Sequence, residues 1–259
     1  MRADLILVGD DGAYAAALLY QTGGTGHLGA LPEEARGRGL TLREDGLFQG
    51  KNRLPCPDEE TIYLTPGLPF VPPELREGET AAVPERDVSE LLKMEDVRGI
   101  FHVHSTWSDG RPPIDEIVRR CVALGYQYVG ISDHSQSARY ARGLTPESLR
   151  KQQMQIDEAR GRQTAIRVFK ASEVGILPDG SLDYPEEVLP SLDFVVALVH
   201  SSFGLSKEDQ TRRIIGALGN RHTTILGHPT GRLLLMREPY AVDLPAVIEA
   251  AAREGSMWS

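Results

Sequence analysis

Residues 99–110 read Gly99-Ile-Phe-His-Val-His-Ser-Thr-Trp-Ser-Asp-Gly110, an apolar lead-in that ends in His102 and His104, with Asp109 five residues beyond the second. Side chains of an extended strand alternate between its two faces, so His102 and His104 point the same way and Val103 the other. Asp109 falls in the loop that follows, on the same side. Two imidazoles and a carboxylate converging there are the start of a metal site, and the partners offered by the rest of the chain decide whether it is completed.

From Gly99 onward strands and helices alternate, which predicts parallel pairing in an open sheet or a barrel. The strands are IFHVH, Tyr128–Ser132, Ile166–Ala171, Leu192–Val199 and Thr223–Leu226. Between them come an amphipathic helix with Ile114, Ile117, Val118, Cys121 and Leu124 on one face, and a helix from Pro146 to about Arg160 capped by Thr145. A helix Lys207–Leu218 capped by Ser206 follows, then a last one over Pro245–Arg253. Just past each strand stands a ligand type: His102 and His104, then Asp133-His134, then Glu173, then His200, then His228. In an α/β barrel the carboxyl ends of the strands build the active site. Five of the seven histidines occupy equivalent places in successive units, while His27 and His222 do not. A mixed imidazole and carboxylate set suits Zn, Mn or Fe, and carboxylates bridge paired cations. Cations about 3.5–4 Å apart polarise a phosphoryl oxygen and make hydroxide from water at neutral pH, without a Ser or Cys nucleophile.

The bulk numbers fit such an enzyme. The chain of 259 residues is 41% hydrophobic and 25% charged, enough to bury a core, and its net charge of −9 argues against gripping nucleic acid by charge alone. No apolar run is long enough to span a bilayer, and the start MRADLILVGDDG lacks a signal-peptide core, so no membrane partner and a cytoplasmic location are expected. Cys56 and Cys121, far apart, read as reduced thiols. Residues 1–71 read as a small α+β unit: a strand DLILVG, a helix over YAAALLYQ, and two short strands in LTLREDGLFQGKNRL. Residues 72–98, charged and proline-bearing, read as a linker with one short helix at Ser89–Met94, ahead of a catalytic domain over 99–259.

The ordered motifs HVHSTWSDG, SDH, SEVGI, VHSSF and GHPTGR resemble the polymerase-and-histidinol-phosphatase (PHP) domain, and more narrowly the C-terminal PHP domain of bacterial family X DNA polymerases. The resemblance covers about Gly99–Gly255. It implies a distorted (βα) barrel holding up to three divalent metal ions that hydrolyse phosphoesters, in the polymerase-linked members as 3′–5′ exonuclease and end-cleaning activity on DNA. By the same resemblance His102 and His104 hold one metal, Asp109 and His134 a second, and Glu173 bridges the first to a third held by His200 and His228. Arg232 is a candidate for gripping a phosphate oxygen, though a solvated surface arginine reads the same way in sequence. Lys170 and Arg139 are weaker candidates of that kind. Asp133 reads either as a partner orienting its neighbouring histidine or as a loop cap.

The N-terminal portion, through PGLPFVPPELRE, resembles the end of the palm and the thumb of the same polymerases, with Asp4 at the place of a catalytic carboxylate and Tyr20 and Gly23 at a nucleotide-pocket turn, where Gln21 replaces a Phe. The other polymerase aspartates have no counterpart, so polymerase activity is not expected. The family's domain also continues beyond Gly255 with an Asp-x-His pair that supplies two more ligands, whereas this sequence ends GSMWS. The expectation is an incomplete PHP-type α/β barrel after a small α+β thumb-like domain, acting on DNA 3′ ends. The alternatives are a stand-alone phosphatase for a small phosphate monoester and an inactive fragment.

Overall fold

The computed structural model describes residues 5–82 and 88–258, which divide into two compact units with the boundary between Lys93 and Met94. Asp4 lies outside the described residues.

In the first unit, helix α1 (Asp11–Thr22) begins where the Asp10 carboxylate accepts from Gly12 N at 2.8 Å, and buries Ala15, Ala16 and Leu19. Helix α2 (Thr25–Gly37) buries His27, Leu31 and Ala35. An antiparallel ribbon of β1 (Thr41–Arg43), β2 (Gly46–Gln49) and β3 (Asn52–Arg53) pairs Leu42 with Leu47, both on the core side. Helix α3 (Glu59–Leu64), capped by Asp58, closes the core with Ile62 and Tyr63.

Four expectations are corrected here. Residues 5–9 form no strand: Leu5, Ile6 and Leu7 are exposed, and no strand among the described residues offers them a ladder. The ribbon has three strands, because Gly50 at φ 61 turns the chain a second time. The packed unit also runs past residue 71 into the expected linker. The fully buried Arg76 donates to Val71 O at 2.9 Å, Thr22 Oγ1 at 2.6 Å and Glu59 Oε1 at 2.6 Å, and Ala81 joins the core. Among the described residues the short helix read at Ser89–Met94 lies earlier: Val88 and Ser89 are helical, Glu90–Lys93 are not, and a 3-10 turn follows at Met94–Asp96.

The second unit is one sheet of six parallel strands in sequential order, β4 (Gly99–Ile100), β5 (Tyr128–Ile131), β6 (Arg167–Gly175), β7 (Phe194–Leu198), β8 (Thr223–Leu226) and β9 (Met257–Trp258). The sheet is curled as an open half-barrel, of α/β class. All five residues of β7 are buried, as a central strand covered on both faces requires. Helices α4 (Ile114–Ala123), α5 (Pro146–Arg162), α6 (Lys207–Leu218) and α7 (Leu244–Glu254) connect the strands. Thr145 caps α5 by accepting from Ser148 N, and Ser206 caps α6 by accepting from Asp209 N. Helix α4 buries Ile114, Ile117, Val118 and Cys121; burial of each such apolar side chain is worth roughly 1.5–3 kcal/mol. Leu124, expected on that face, is the helix's C-cap and is exposed. The expected strand IFHVH is regular only at Gly99–Ile100. Beyond it the ladder is carried by Ser132 N donating to Val103 O, and Val103 N to Ser132 Oγ, each at 2.8 Å.

The first unit contains a buried acid-sensitive group. His27 Nδ1 lies 2.6 Å from Thr80 O, so it carries the proton, and Nε2, 2.7 Å from the Tyr63 hydroxyl, accepts. Burial holds His27 below its ordinary pKa of 6.5, outweighing the Thr80 contact. The unfolded chain therefore binds a proton that the folded chain refuses, and stability falls as pH drops from about 6.5 toward the folded-state value. Amide hydrogen exchange in α1 and α2 should accelerate between pH 7 and 5.5 beyond the intrinsic trend. His27→Gln should be less stable at pH 7 and lose that extra slope; an unchanged slope would exclude His27 as its source.

Candidate metal centre

Period-two alternation, together with the parallel register, delivers the site. Glu173 lies within β6 rather than past its end, and its backbone bridges His134. Glu173 N donates to Ser132 O and Asp133 O, and Ser135 N donates back to Glu173 O at 2.9 Å. His102 and His104 emerge after β4, His134 after β5, His200 after β7 and His228 after β8. All five rings meet one carboxylate. Glu173 Oε1 lies 3.4 Å from His102 Nε2, 3.4 Å from His200 Nε2 and 3.1 Å from His228 Nε2. Glu173 Oε2 lies 3.1 Å from His104 Nε2 and 2.7 Å from His134 Nδ1. The rings follow one another in an arc, His104 against His134 at 4.4 Å and His134 against His200 at 4.9 Å between centroids.

Asp109 arrives from the loop. Its Oδ1 is 3.1 Å from His104 Nδ1 and its Oδ2 3.5 Å from His134 Nε2. Gly110 permits this, because a Cβ there would collide with the His104 carbonyl. Asp133, 1% exposed, anchors the loop instead of facing the site. It accepts from Ser105 N and Oγ, Ser108 N and Oγ, and Gln152 Nε2 at 2.5–3.1 Å. Of the two readings of Asp133, the structure favours the loop.

The donor set fits divalent cations. Potential ligand atoms cluster as His102, His104 and Glu173; as His104, Asp109 and His134; and as His134, Glu173 and His200, each group within 4.8 Å. His228 touches Glu173 but stands outside these groups. His104 Nδ1, His134 Nδ1, His200 Nδ1 and Glu173 Oε2 are buried with no hydrogen-bond partner among the described residues. Glu173 Oε2 approaches His134 Nδ1 and His104 Nε2, and Asp109 Oδ1 approaches His104 Nδ1, yet these contacts lack hydrogen-bonding direction. Buried polar atoms left this way are costly unless something charged satisfies them. Burial pushes the Glu173 carboxyl up, but the imidazoles of His102, His104, His134 and His200 outweigh it and hold the group far below the carboxylate range. Burial alone would lower His104, but Glu173 and Asp109 raise it; for His200 burial prevails and the ring is held neutral.

The cluster opens into a cleft of about 560 Å³ walled by Tyr140, Val199, Phe203, Gly231, Arg232, Leu233 and Arg237. Arg232 is therefore at the site. Lys170 is not: it pairs with Asp157 of α5 at 2.7 Å, and Arg139 faces a different cleft. Sequence reading missed Tyr140, whose ring stands edge-on to His134 and His200, and Arg237; neither sits in a motif.

It also missed Arg213, 2% exposed, whose position on α6 carries no signal. The Arg213 guanidinium donates to Leu177 O at 2.8 Å, Ser201 O at 2.8 Å and Ile176 O. One fork thus ties the segment after Glu173 to the segment after His200, with no carboxylate paired to it among the described residues.

A parallel α/β half-barrel with a multi-histidine centre at its strand ends defines a metallohydrolase-type domain. Family models match residues 101–229 as a PHP domain and residues 17–77 as a DNA polymerase beta thumb. The chain is 38% identical over 242 residues to the DNA polymerase/3′-5′ exonuclease PolX of Bacillus subtilis, covering 93% of this chain and 42% of that protein. A probable phosphatase of Caldanaerobacter subterraneus is 32% identical over 94 residues, 35% of each chain. Histidinol phosphate phosphatase from Lactococcus lactis, solved with zinc, L-histidinol and phosphate, superposes loosely, at a TM-score of 0.41 and 14% identity over 62% of this chain and 72% of that one. The chain carries a DNA polymerase beta thumb and a PHP domain, and over both it is similar to the bacterial family X DNA polymerases. It spans under half the length of the PolX relative.

Replacing Arg213 by Lys keeps a cation but loses the fork. Cobalt(II) affinity should fall by about tenfold, the lower range for residues that orient ligands, with an altered visible spectrum of the bound ion. Arg76→Lys, in the other unit, should change stability and leave that spectrum alone. A wild-type spectrum in Arg213→Lys would contradict the assignment.

Proposed function

We propose that residues 94–259 are a metal-dependent phosphoesterase acting on DNA 3′ ends, a 3′–5′ exonuclease or end-processing activity in DNA repair. The observation that carries the reading is the convergence of five imidazoles and Asp109 around the buried Glu173. The polymerase-type thumb and the PolX relative support DNA over a small ester. The phosphatase relatives, matched over a third of the chain, keep a small phosphate monoester as the competing substrate.

His102, His104, Asp109, His134, Glu173, His200 and His228 would hold up to three divalent ions, with Mn, Zn and Fe all suited to these ligands. When bound, such ions polarise the phosphoryl oxygen and lower the pKa of a bound water. The chain's own groups do the rest. Glu173, ionised and buried, would offer one oxygen to each side of the cluster and so help hold the ions. His200, kept neutral by burial, presents a lone pair without first losing a proton. Arg232 offers a fork to a non-bridging phosphate oxygen at the rim, and Tyr140 closes the wall beside His134 and His200.

Glu173→Ala should remove more metal than substitution of His102 or His228, read as metal per chain after dialysis against micromolar Mn²⁺. Wild-type metal content in that variant would contradict the bridging role. With Mn²⁺, the wild-type chain should release nucleotides from a 3′-recessed duplex faster than phosphate from small monoesters; the opposite order would favour the phosphatase reading.

A further inference from the structure

Four residues after His228 the chain makes a tight hairpin. Leu233 and Arg237 bridge antiparallel, with Leu233 N donating to Arg237 O at 2.9 Å and Arg237 N to Leu233 O at 2.8 Å. Met236 N closes on Leu233 O at 3.0 Å, and Leu235 sits in left-handed backbone at φ 67, unusual for a branched side chain. The tip is Leu234, Leu235 and Met236, which are 65%, 69% and 81% exposed. Three consecutive apolar side chains thus stand in water on a braced loop.

The base of the hairpin is cationic and belongs to the cleft. Arg232 and Arg237 both line it, and among the described residues neither pairs with a carboxylate, in a chain of net charge −9. Arg237 is held in place: its guanidinium lies 3.7 Å over the Phe203 ring, Phe203 stacks on Tyr240, and Arg237 Nε donates to Gly231 O at 2.9 Å. Unpaired guanidinium groups below an apolar tip match one ligand chemistry, a polynucleotide end with phosphates on one edge and flat, apolar base faces beyond. Leucine and methionine serve as wedges against base steps, and guanidinium binds phosphate through its fork.

We propose that the hairpin Arg232–Arg237 is a docking element for the 3′-terminal nucleotides of a DNA strand, its arginines on the backbone phosphates and Leu234–Met236 against the terminal bases. This deepens the reading of the site as a DNA 3′-end phosphoesterase and rests on it. It assigns the preference for DNA over a small ester to three side chains outside the metal cluster.

The test is the double variant Leu234→Ser/Met236→Ser, which touches only exposed side chains. Binding of a fluorescein-labelled DNA oligonucleotide with a free 3′ end is measured by anisotropy in EDTA, so that it does not depend on the metals. The expected result is about tenfold weaker binding, about 1.4 kcal/mol, from loss of the apolar wedge. Nucleotide release in Mn²⁺ should fall in parallel, while hydrolysis of bis-p-nitrophenyl phosphate stays within about twofold. Arg237→Gln should lower the slope of log affinity against log salt by about 0.7, one phosphate contact on single-stranded DNA. Unchanged DNA binding in the double variant overturns the proposal. So does a switch from dimer to monomer by sedimentation with DNA binding intact, which would make the tip a contact between copies of this chain. If the wild type hydrolyses neither substrate, the phosphoesterase reading fails, and the EDTA binding experiment still decides the hairpin.

Discussion

A single buried carboxylate organises the second unit. Glu173 sits within β6 at 1% exposure, and five imidazoles brought from four other strand ends surround it. Such an ion is expensive to bury unless charge compensates it, and two or more imidazoles protonated at such short range would repel one another. Cations shared between the carboxylate and the rings would satisfy both demands, and would also engage the imidazole nitrogens and the Glu173 oxygen left without hydrogen-bond partners among the described residues. The half-barrel exists in the form it does because parallel strands, in sequential order, aim their carboxyl ends at that one point.

The supporting shell is built from backbone rather than from a second ring of charges. Asp133 fixes the loop that bears Asp109 through four donors from Ser105 and Ser108 and ties it to α5 through Gln152, and Arg213 fixes the segments after β6 and β7 through three carbonyls. Both are buried side chains that hold neighbouring segments in place. The open side of the centre is left to Tyr140, Arg232 and the hairpin, where a substrate has room to enter.

The alternation of strand and helix from Gly99 and the ligand types trailing each strand were legible in the sequence because both follow from periodicity: two residues per strand repeat and an amphipathic stripe on each helix. Local chemistry also made the caps legible, as with Thr145 and Ser206. What was not legible depends on tertiary context. The run Leu5–Leu7 has strand composition, but a strand forms only beside a partner. Arg76 and Arg213 look like surface residues on polar segments, and only the fold reveals the carbonyls they face. Arg237 and Tyr140 join the cleft through loops whose course no periodicity predicts. The roles of Lys170 and Arg139 were undecidable by composition alone, since an arginine or lysine near a strand end has the same appearance whether it meets Asp157 or a substrate.

The account stands on cations binding where the imidazoles and Glu173 converge. Anomalous diffraction from crystals grown with Mn²⁺, recorded on both sides of a zinc edge after exchange, locates such ions directly. The account predicts peaks within coordination distance, about 2.0–2.2 Å, of Glu173 oxygens and of nitrogens from His104, His134 and His200. Ions found only at surface carboxylates, with the histidine cluster closed around a metal-free Glu173, would contradict it.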